Sequence, residues 1–126
     1  MKKTAVNLAA IATYTFLLAW CSLSPGGTSE LWFAHFDKIL HMGAYAAFAL
    51  ICAPIWWRSE NTLVATFIIL ILLFLFGGTI ELGQMLVPRR EASWQDILAN
   101  TLGLIIGWQA SNIIKKARKM RAFIAE

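Results

Sequence analysis

The stretch from residue 81 to residue 107, ELGQMLVPRREASWQDILANTLGLIIG, decides how the whole chain is arranged. It begins with Glu81 and Gln84 inside an apolar run, crosses a basic loop at 88–93, and returns to apolar sequence through Asp96 and Asn100. The sequence on both sides resembles that of membrane spans, so these polar side chains have no wet surface of their own. We therefore expect them to face one another inside a helical bundle.

Composition places the chain among integral membrane proteins. Of its 126 residues, 59% are hydrophobic and 14% are charged, whereas soluble domains carry about 25% charged residues. The net charge of +4 would also fit a nucleic-acid-binding protein, but five of the eleven basic residues stand in the last dozen positions, within KKARKMR. Such a cluster is typical of the cytoplasmic side of a membrane protein. We expect membrane lipids, and no nucleic acid, as partners.

Four apolar runs predict four transmembrane helices, because about 20 residues suffice to cross a bilayer. The runs are followed by a basic cytoplasmic tail at 115–126, and their approximate bounds are 4–23, 39–57, 63–87 and 97–114. The predicted fold is all-α, a four-helix transmembrane bundle that forms a single domain over residues 1–126.

Local features support these bounds. The first run is longer than the core of a secretory signal, which has about 7–15 residues. Trp20 also stands just before Cys21, where cleavage needs a small residue, so we interpret the run as an uncleaved helix. Pro88 ends the third helix because it has no amide proton to donate. Gly103 and Gly107 give the fourth helix a face for close contact.

Four spans put both termini on the same side of the membrane, and the basic residues indicate which side that is. Eight would lie with the termini: Lys2, Lys3, Arg58, Lys115, Lys116, Arg118, Lys119 and Arg121. Three would lie on the other side: Lys38, Arg89 and Arg90. The positive-inside rule therefore predicts a multi-pass protein of the bacterial cytoplasmic membrane with both termini in the cytoplasm.

This topology brings the polar residues of three helices to the outer side of the membrane. Residues four apart share a helix face, so the second helix presents Asp37, His41 and Tyr45 together, and the fourth presents Asp96 and Asn100. Glu81 and Gln84 share a face near the end of the third helix. Either Ser93 or Asp96 can cap the start of the fourth helix.

The ordered motifs DK-x2-H-x3-Y, E-x2-Q and R-x2-S-x2-D-x3-NTLG-x3-G, from Asp37 to Gly107, resemble the VanZ-like family of small bacterial membrane proteins. The founding member is associated with low-level resistance to the glycopeptide teicoplanin. The resemblance implies a membrane fold and an envelope setting, but it supplies no mechanism. It implies as site residues Asp37, Lys38, His41, Tyr45, Glu81, Gln84, Arg90, Ser93, Asp96, Asn100 and Gly103; Arg90 is preferred to Arg89 on its spacing to Ser93 and Asp96.

We expect an outward-facing polar pocket that binds an anionic envelope molecule without turning it over. A lipid-linked cell-wall precursor and an amphiphilic glycopeptide both fit, and so does a role in teicoplanin-type resistance. The predicted ligand-binding residues are Asp37, Lys38, His41, Tyr45, Glu81, Gln84, Arg89, Arg90, Ser93, Asp96 and Asn100.

The alternative is a membrane enzyme that acts on a lipid headgroup, with His41, Glu81 and Asp96 as catalytic candidates. No activated nucleophile is evident, so the non-enzymatic interpretation is favoured. The same three side chains fit a metal site. A hydrogen-bonded network is preferred, because catalytic zinc sites usually use more than one histidine, and neither a metal nor another cofactor is expected.

The remaining unusual residues are interpreted as structural. Cys21 and Cys52 lie in apolar runs without metal-type or redox-type spacing, so both are predicted to be small core residues. The tryptophans near the predicted helix ends are typical of an interfacial belt: Trp32, Trp56, Trp57 and Trp94.

Overall fold

A computed structural model describes residues 2–25, 36–88, 90 and 92–125. Within these residues the chain forms four α-helices and no strand: α1 Lys2–Leu23, α2 Phe36–Arg58, α3 Thr62–Gln84 and α4 Trp94–Ile124. Each helix contains a window long and apolar enough to cross a membrane. The prediction of an all-α, four-helix transmembrane bundle is confirmed.

The observed helix ends differ from the predicted ones, and α3 ends before Pro88, the residue that was expected to stop it. α3 ends at Gln84, and Met85–Pro88 turns away through short i→i+3 hydrogen bonds such as that from Val87 N–H to Gln84 O, at 3.0 Å. α4 continues to Ile124, so most of the basic tail is helical. The tail is rich in Ala, Lys, Arg and Met, which are good helix formers, and has no Pro or Gly.

The length of α4 carries its last turns out of the membrane. Its 31 residues span about 46 Å at 1.5 Å per residue, whereas a hydrocarbon core is about 30 Å thick. The projecting turns hold the basic cluster, and the guanidinium of Arg118 lies 5.4 Å from the centre of the Trp57 ring near the end of α2. We call this end of the bundle the basic end.

The helices alternate in direction, so α1 and α3 end where α2 and α4 begin. We call this junction the polar end. Side-chain contacts there connect α1 to α3, α2 to α3 and α2 to α4. The first and last described residues therefore lie together at the basic end.

α2 is the central helix, and its contact with α4 is the closest in the bundle. A Cβ atom on Gly103 would collide with the backbone carbonyl oxygen of Met42, and one on Gly107 would collide with that of Ala46. The two backbones touch because these positions have no side chain. This confirms the prediction that Gly103 and Gly107 form a face for close helix contact.

The core lies along α2, where Phe48, Ala49, Cys52, Ala53 and Trp56 are buried. Leu18, Leu73 and Leu104 contribute from the other three helices. The outer faces carry large exposed apolar side chains, as on α3 with Phe67, Ile71 and Leu75. A soluble protein of this size does not expose so much apolar surface, whereas lipid tails cover it readily.

Two structural interpretations were wrong in part. Cys52 is buried as predicted, but Cys21 is exposed, because it lies on the outward face of a helix that contacts its neighbours along one side only. Trp56 is fully buried in the core and not in an interfacial belt, whereas Trp94 is exposed. Trp32 lies outside the described residues.

Candidate functional site

Six polar side chains meet at the polar end, between the start of α2, the end of α3 and the start of α4. We call this group the polar cluster: Asp37, Lys38, His41, Glu81, Asp96 and Asn100. All six were predicted as site residues. The four-residue spacings along α2 and α4 turn Asp37 with His41, and Asp96 with Asn100, toward the same gap.

Lys38 connects α2 to α4 by ion pairing. Its Nζ atom lies 2.6 Å from Asp37 Oδ2 and 2.6 Å from Asp96 Oδ1. The Asp37 side chain is 35% exposed and that of Asp96 is 8% exposed. The pair with Asp96 therefore contributes more to the stability of the α2–α4 contact, because water screens an exposed ion pair more strongly than a buried one.

His41 lies between the two buried carboxylates. Its Nδ1 atom is 3.0 Å from Asn100 Oδ1, to which the Nδ1–H tautomer donates a hydrogen bond. Glu81 Oε1 lies 3.8 Å from Nδ1, and Asp96 Oδ2 lies 3.9 Å from Nε2. These carboxylate distances are too long for hydrogen bonds, so the imidazole is near both acids without binding either directly.

Glu81 is the most deeply placed acid, with a side chain only 2% exposed. Its Oε2 atom accepts a hydrogen bond from Ser93 N–H at 3.3 Å. Among the described residues, its Oε1 atom has no hydrogen-bond donor. A buried carboxylate oxygen without a donor is costly, and in a membrane bundle such a group indicates a functional site.

Ser93 positions the Glu81 carboxylate through its backbone N–H, while its hydroxyl caps α4. Ser93 is the N-cap of α4, and its Oγ atom accepts a hydrogen bond from Gln95 N–H at 3.2 Å. Of the two predicted capping residues, Ser93 caps the helix and Asp96 binds Lys38. The hydroxyl is therefore engaged by the cap rather than by His41.

Gln84 and Arg90 turn toward α1 and away from the polar cluster. Gln84 Nε2 donates to Ser22 O at 3.1 Å, and Arg90 Nη2 donates to Cys21 O at 3.2 Å and to Ser24 O at 3.4 Å. These carbonyls belong to the C-terminal end of α1, where a cation or amide donor satisfies groups that lack partners within the helix. The two side chains hold α1 against the site.

The last two predicted residues have different outcomes. Tyr45 lies deeper in α2, where its ring packs on Gly77 and its buried hydroxyl has no hydrogen-bond partner within the described part of the chain. Arg89 lies outside the described residues, as does Glu91. The preference for Arg90 over Arg89 as a ligand-binding residue stays a prediction.

Sequence reasoning gave no place in the site to α1, although its C-terminal carbonyls receive Gln84 and Arg90. Nothing in the apolar α1 sequence marks these carbonyls, because every helix end has them. A usable signal was the presence of two long polar donors, Gln84 and Arg90, on the α3 side of the junction.

The charges of the polar cluster do not balance among its own side chains. Three carboxylates, those of Asp37, Glu81 and Asp96, share the single ammonium group of Lys38. A ligand atom from each of His41, Glu81 and Asp96 lies within 4.8 Å of the other two. Such an arrangement can carry a positively charged group or a transferable proton between the acids.

Access to the polar cluster is from the side of α2. Lys38 is 23% exposed and His41 is 17% exposed, whereas Glu81 closes the deep side. The ammonium of Lys38 and the imidazole of His41 are therefore more exposed than the Glu81 carboxylate.

Comparison with curated proteins and with solved structures found no match. A family model described as VanZ/LLP1 matches residues 2–115. The match includes α1, α2, α3, the part of α4 up to residue 115 and every residue of the polar cluster, in agreement with the motifs from Asp37 to Gly107. This chain is a multi-pass membrane protein that belongs to the VanZ/LLP1 family.

Proposed function

We propose that this protein binds the headgroup of an anionic envelope lipid, or an amphiphilic glycopeptide, at the polar cluster. By doing so it contributes to resistance against teicoplanin-type glycopeptides. It works without turnover of its ligand, in the bacterial cytoplasmic membrane, with the polar end facing outward. Its association with resistance is an expectation from the VanZ-like family.

The observation that carries this proposal is the burial of Glu81 and Asp96 beside His41 at one end of an otherwise apolar bundle. Ionisable groups at membrane depth are expensive and mark binding or transport sites. A purely structural junction could use apolar packing at this position, often with equal or greater stability. The bundle instead keeps two buried acids next to an accessible imidazole.

Lys38 offers the cluster's direct contact to an anion. Its pair with Asp37 is partly exposed, and exposed pairs are worth only about 0–1 kcal/mol. A phosphate or carboxylate oxygen of a headgroup can therefore replace Asp37 at the ammonium while the buried pair with Asp96 stays intact. Arg90 is less available, since its Nη2 atom binds α1 carbonyls.

The basic end, which carries Arg58 and the basic residues of α4, supports the proposed orientation. The positive-inside rule places this end in the cytoplasm, which puts the polar cluster at the level of the outer headgroups. A reporter active only in the cytoplasm, fused after Glu126, is expected to give full signal. A periplasm-active reporter at the same point stays silent. Activity of the periplasmic reporter would reverse the orientation and remove the outward-facing site.

The function is tested by measuring teicoplanin sensitivity in bacteria that express the wild-type protein, Glu81→Gln or His41→Ala. We expect both variants to leave cells as sensitive as cells without the protein, because each removes a cluster group. Glu60→Gln is the matched control, since Glu60 is exposed in the connection between α2 and α3. Immunoblots of membranes must show equal amounts of all variants. Full resistance in the Glu81→Gln cells at normal amounts would refute the proposal.

The second candidate is an enzyme that acts on a lipid headgroup, with His41 as a proton carrier between Glu81 and Asp96. The convergence of their ligand atoms within 4.8 Å favours it. Incubation of the purified protein with lipid-linked precursor separates the two candidates. Binding without a product supports the first, whereas a product that disappears with Glu81→Gln transfers the assignment to the second.

A further inference from the structure

In contrast to the expectation from the sequence, we propose that His41, Glu81 and Asp96 bind one divalent first-row metal ion between α2, α3 and α4. The inference rests on the proposed function only in treating the polar cluster as a binding site, and it names a ligand of that site. A ligand atom from each of the three residues lies within 4.8 Å of the other two. Ligands at about 2.0–2.2 Å from a shared ion lie roughly 3.0–3.6 Å apart, so binding requires these side chains to close around the ion by about 1 Å.

Two hydrogen bonds and one ion pair divide the atoms of the three side chains into two sets. One atom of each already has a partner: His41 Nδ1 with Asn100 Oδ1, Glu81 Oε2 with Ser93 N–H, and Asp96 Oδ1 with Lys38 Nζ. The other atoms, His41 Nε2, Glu81 Oε1 and Asp96 Oδ2, have no hydrogen-bond partner among the described residues. Nε2 faces Asp96 Oδ2 at 3.9 Å, whereas Glu81 Oε1 lies 3.8 Å from Nδ1, so a metal on Nε2 requires the Glu81 carboxylate to turn toward it. In each side chain, the partnered atom fixes the position of the side chain, and the other atom is left for an electropositive partner.

These supporting contacts match the second shell that metal sites use. A metal-bound imidazole usually donates its other N–H to a carbonyl or carboxylate oxygen, which fixes the ring and its tautomer. Asn100 Oδ1 accepts such a bond from His41 at 3.0 Å. In the tautomer that carries its proton on Nδ1, Nε2 is unprotonated, and it faces Asp96 Oδ2 at 3.9 Å. Two facing lone pairs repel each other unless a cation or a proton lies between them.

Charge gives independent support. Glu81 is almost fully buried, and its Oε1 atom has no hydrogen-bond donor among the described residues. Lys38 is the one Lys or Arg within 4.0 Å of the cluster acids in the described part of the chain, and it already binds Asp37 and Asp96. A divalent ion at the free atoms neutralises the remaining negative charge, which membrane burial otherwise makes expensive.

The ligand set indicates the kind of metal. One imidazole and two carboxylates suit Zn²⁺, Mn²⁺ or Fe²⁺ better than the all-oxygen shells of Mg²⁺ and Ca²⁺. Three protein ligands leave at least one position open. His41 is on the accessible side of the cluster, so a headgroup oxyanion can take that position. The metal thus supplies the positive charge that an anionic ligand needs beside three carboxylates.

The competing explanation for the same geometry is a protonated His41. An imidazolium would place a proton on Nε2 toward Asp96 and would need no ion. It predicts that the purified protein binds metal no better than a surface carboxylate does. Metal titration therefore separates the two explanations directly.

The test uses the full-length protein, freed of any histidine tag and of bound metal, in detergent micelles. Titration with Co²⁺ is expected to give visible d–d absorption that saturates at one ion per chain, and Zn²⁺ is expected to displace the Co²⁺. Asn100→Ala should weaken binding roughly 10–100-fold as an outer-shell change. Glu81→Gln and His41→Gln each remove a ligand and should weaken it by more than that. Glu60→Gln, the same type of change at an exposed site, should leave the titration unchanged.

Thermal unfolding gives a second readout. Zn²⁺ should raise the unfolding midpoint of the wild-type protein and of Glu60→Gln, but not that of Glu81→Gln, because an ion stabilises only the state that binds it. Equal Co²⁺ affinity in the wild-type protein and in both ligand variants would overturn the metal site. Saturable metal binding without any teicoplanin phenotype would support the metal site and reject the proposed function. A teicoplanin phenotype that depends on Glu81, in a protein that binds no metal, would support the proposed function and reject the metal site.

Discussion

Gly103→Ala is expected to destabilise the bundle by about 3 kcal/mol, at the upper end of the usual cost of overpacking. The new methyl group would collide with the carbonyl oxygen of Met42, and it would stand 3.0 Å from the Met42 carbonyl carbon and 3.1 Å from Ala46 N. These are backbone atoms of a facing helix, which cannot rotate aside as a side chain does. The helices α2 and α4 must separate. Unfolding by SDS in mixed micelles, followed by circular dichroism, measures the loss.

The same change at Gly78 is the matched control. A Cβ atom there meets nothing within 4 Å, and alanine is the better helix former by about 1 kcal/mol. Gly78→Ala should therefore leave stability unchanged or slightly raised. A similar loss at Gly78 and Gly103 would show that helix propensity or lipid packing, and not the α2–α4 contact, sets the effect.

The contact between α2 and α4 also determines the geometry of the polar cluster. Met42 follows His41 directly in α2, and Gly103 lies one turn beyond Asn100 in α4. Separation of the two backbones at this level lengthens the His41–Asn100 hydrogen bond, which is 3.0 Å in the intact bundle. Loss of function in Gly103→Ala would therefore accompany the loss of stability and should not be taken as a direct role in binding.

The sequence was sufficient to predict the helices and the grouping of the cluster. Apolar runs of sufficient length can only be satisfied as helices in lipid, and the four-residue spacing of Asp37 with His41 fixes which side chains share a face. Burial of ionisable groups then forces these faces to turn inward. These rules predict that Asp37, His41, Glu81, Asp96 and Asn100 are neighbours, but they also group Tyr45 and Gln84 with them, which the structure places outside the cluster.

The pairing within the junction could not be predicted, because it depends on the rotation and tilt of each helix. A few degrees decide whether Arg90 reaches an acid of the cluster or a carbonyl of α1, and hydropathy contains no such information. The same limit applies to Trp56, whose position near a helix end suggested an interface although its face of α2 points into the core. The fourth helix was predicted to end at residue 114, where the basic residues begin. Charged residues end an apolar run, but they do not end a helix, and α4 continues to Ile124.

Lys38→Met is expected to destabilise the metal-free protein by about 3 kcal/mol, the lower part of the range for breaking a buried ion pair. The methionine preserves much of the side-chain volume but leaves Asp96, which is 8% exposed, without its ion-pair partner 2.6 Å away. Asp37 is 35% exposed and retains water when Lys38 is lost. The main cost should therefore come from Asp96. SDS unfolding in the presence of EDTA measures it without a contribution from bound metal.

A double substitution identifies the source of that cost. Lys38→Met with Asp96→Asn should recover most of the lost stability, because the uncompensated buried charge is gone. Lys38→Met with Asp37→Asn should recover little. Equal recovery by both, or by neither, would contradict the assignment of Asp96 as the acid that depends on Lys38.

The recovered double variant then separates folding from binding. It lacks one of the three proposed metal ligands and the ammonium group that meets an anion, while the α2–α4 contact at Gly103 and Gly107 is unchanged. It should therefore fold, insert and accumulate in the membrane, yet bind Co²⁺ weakly and give no protection against teicoplanin. A stable double variant that still protects cells would mean that Lys38 and Asp96 stabilise the bundle and are not needed for ligand binding.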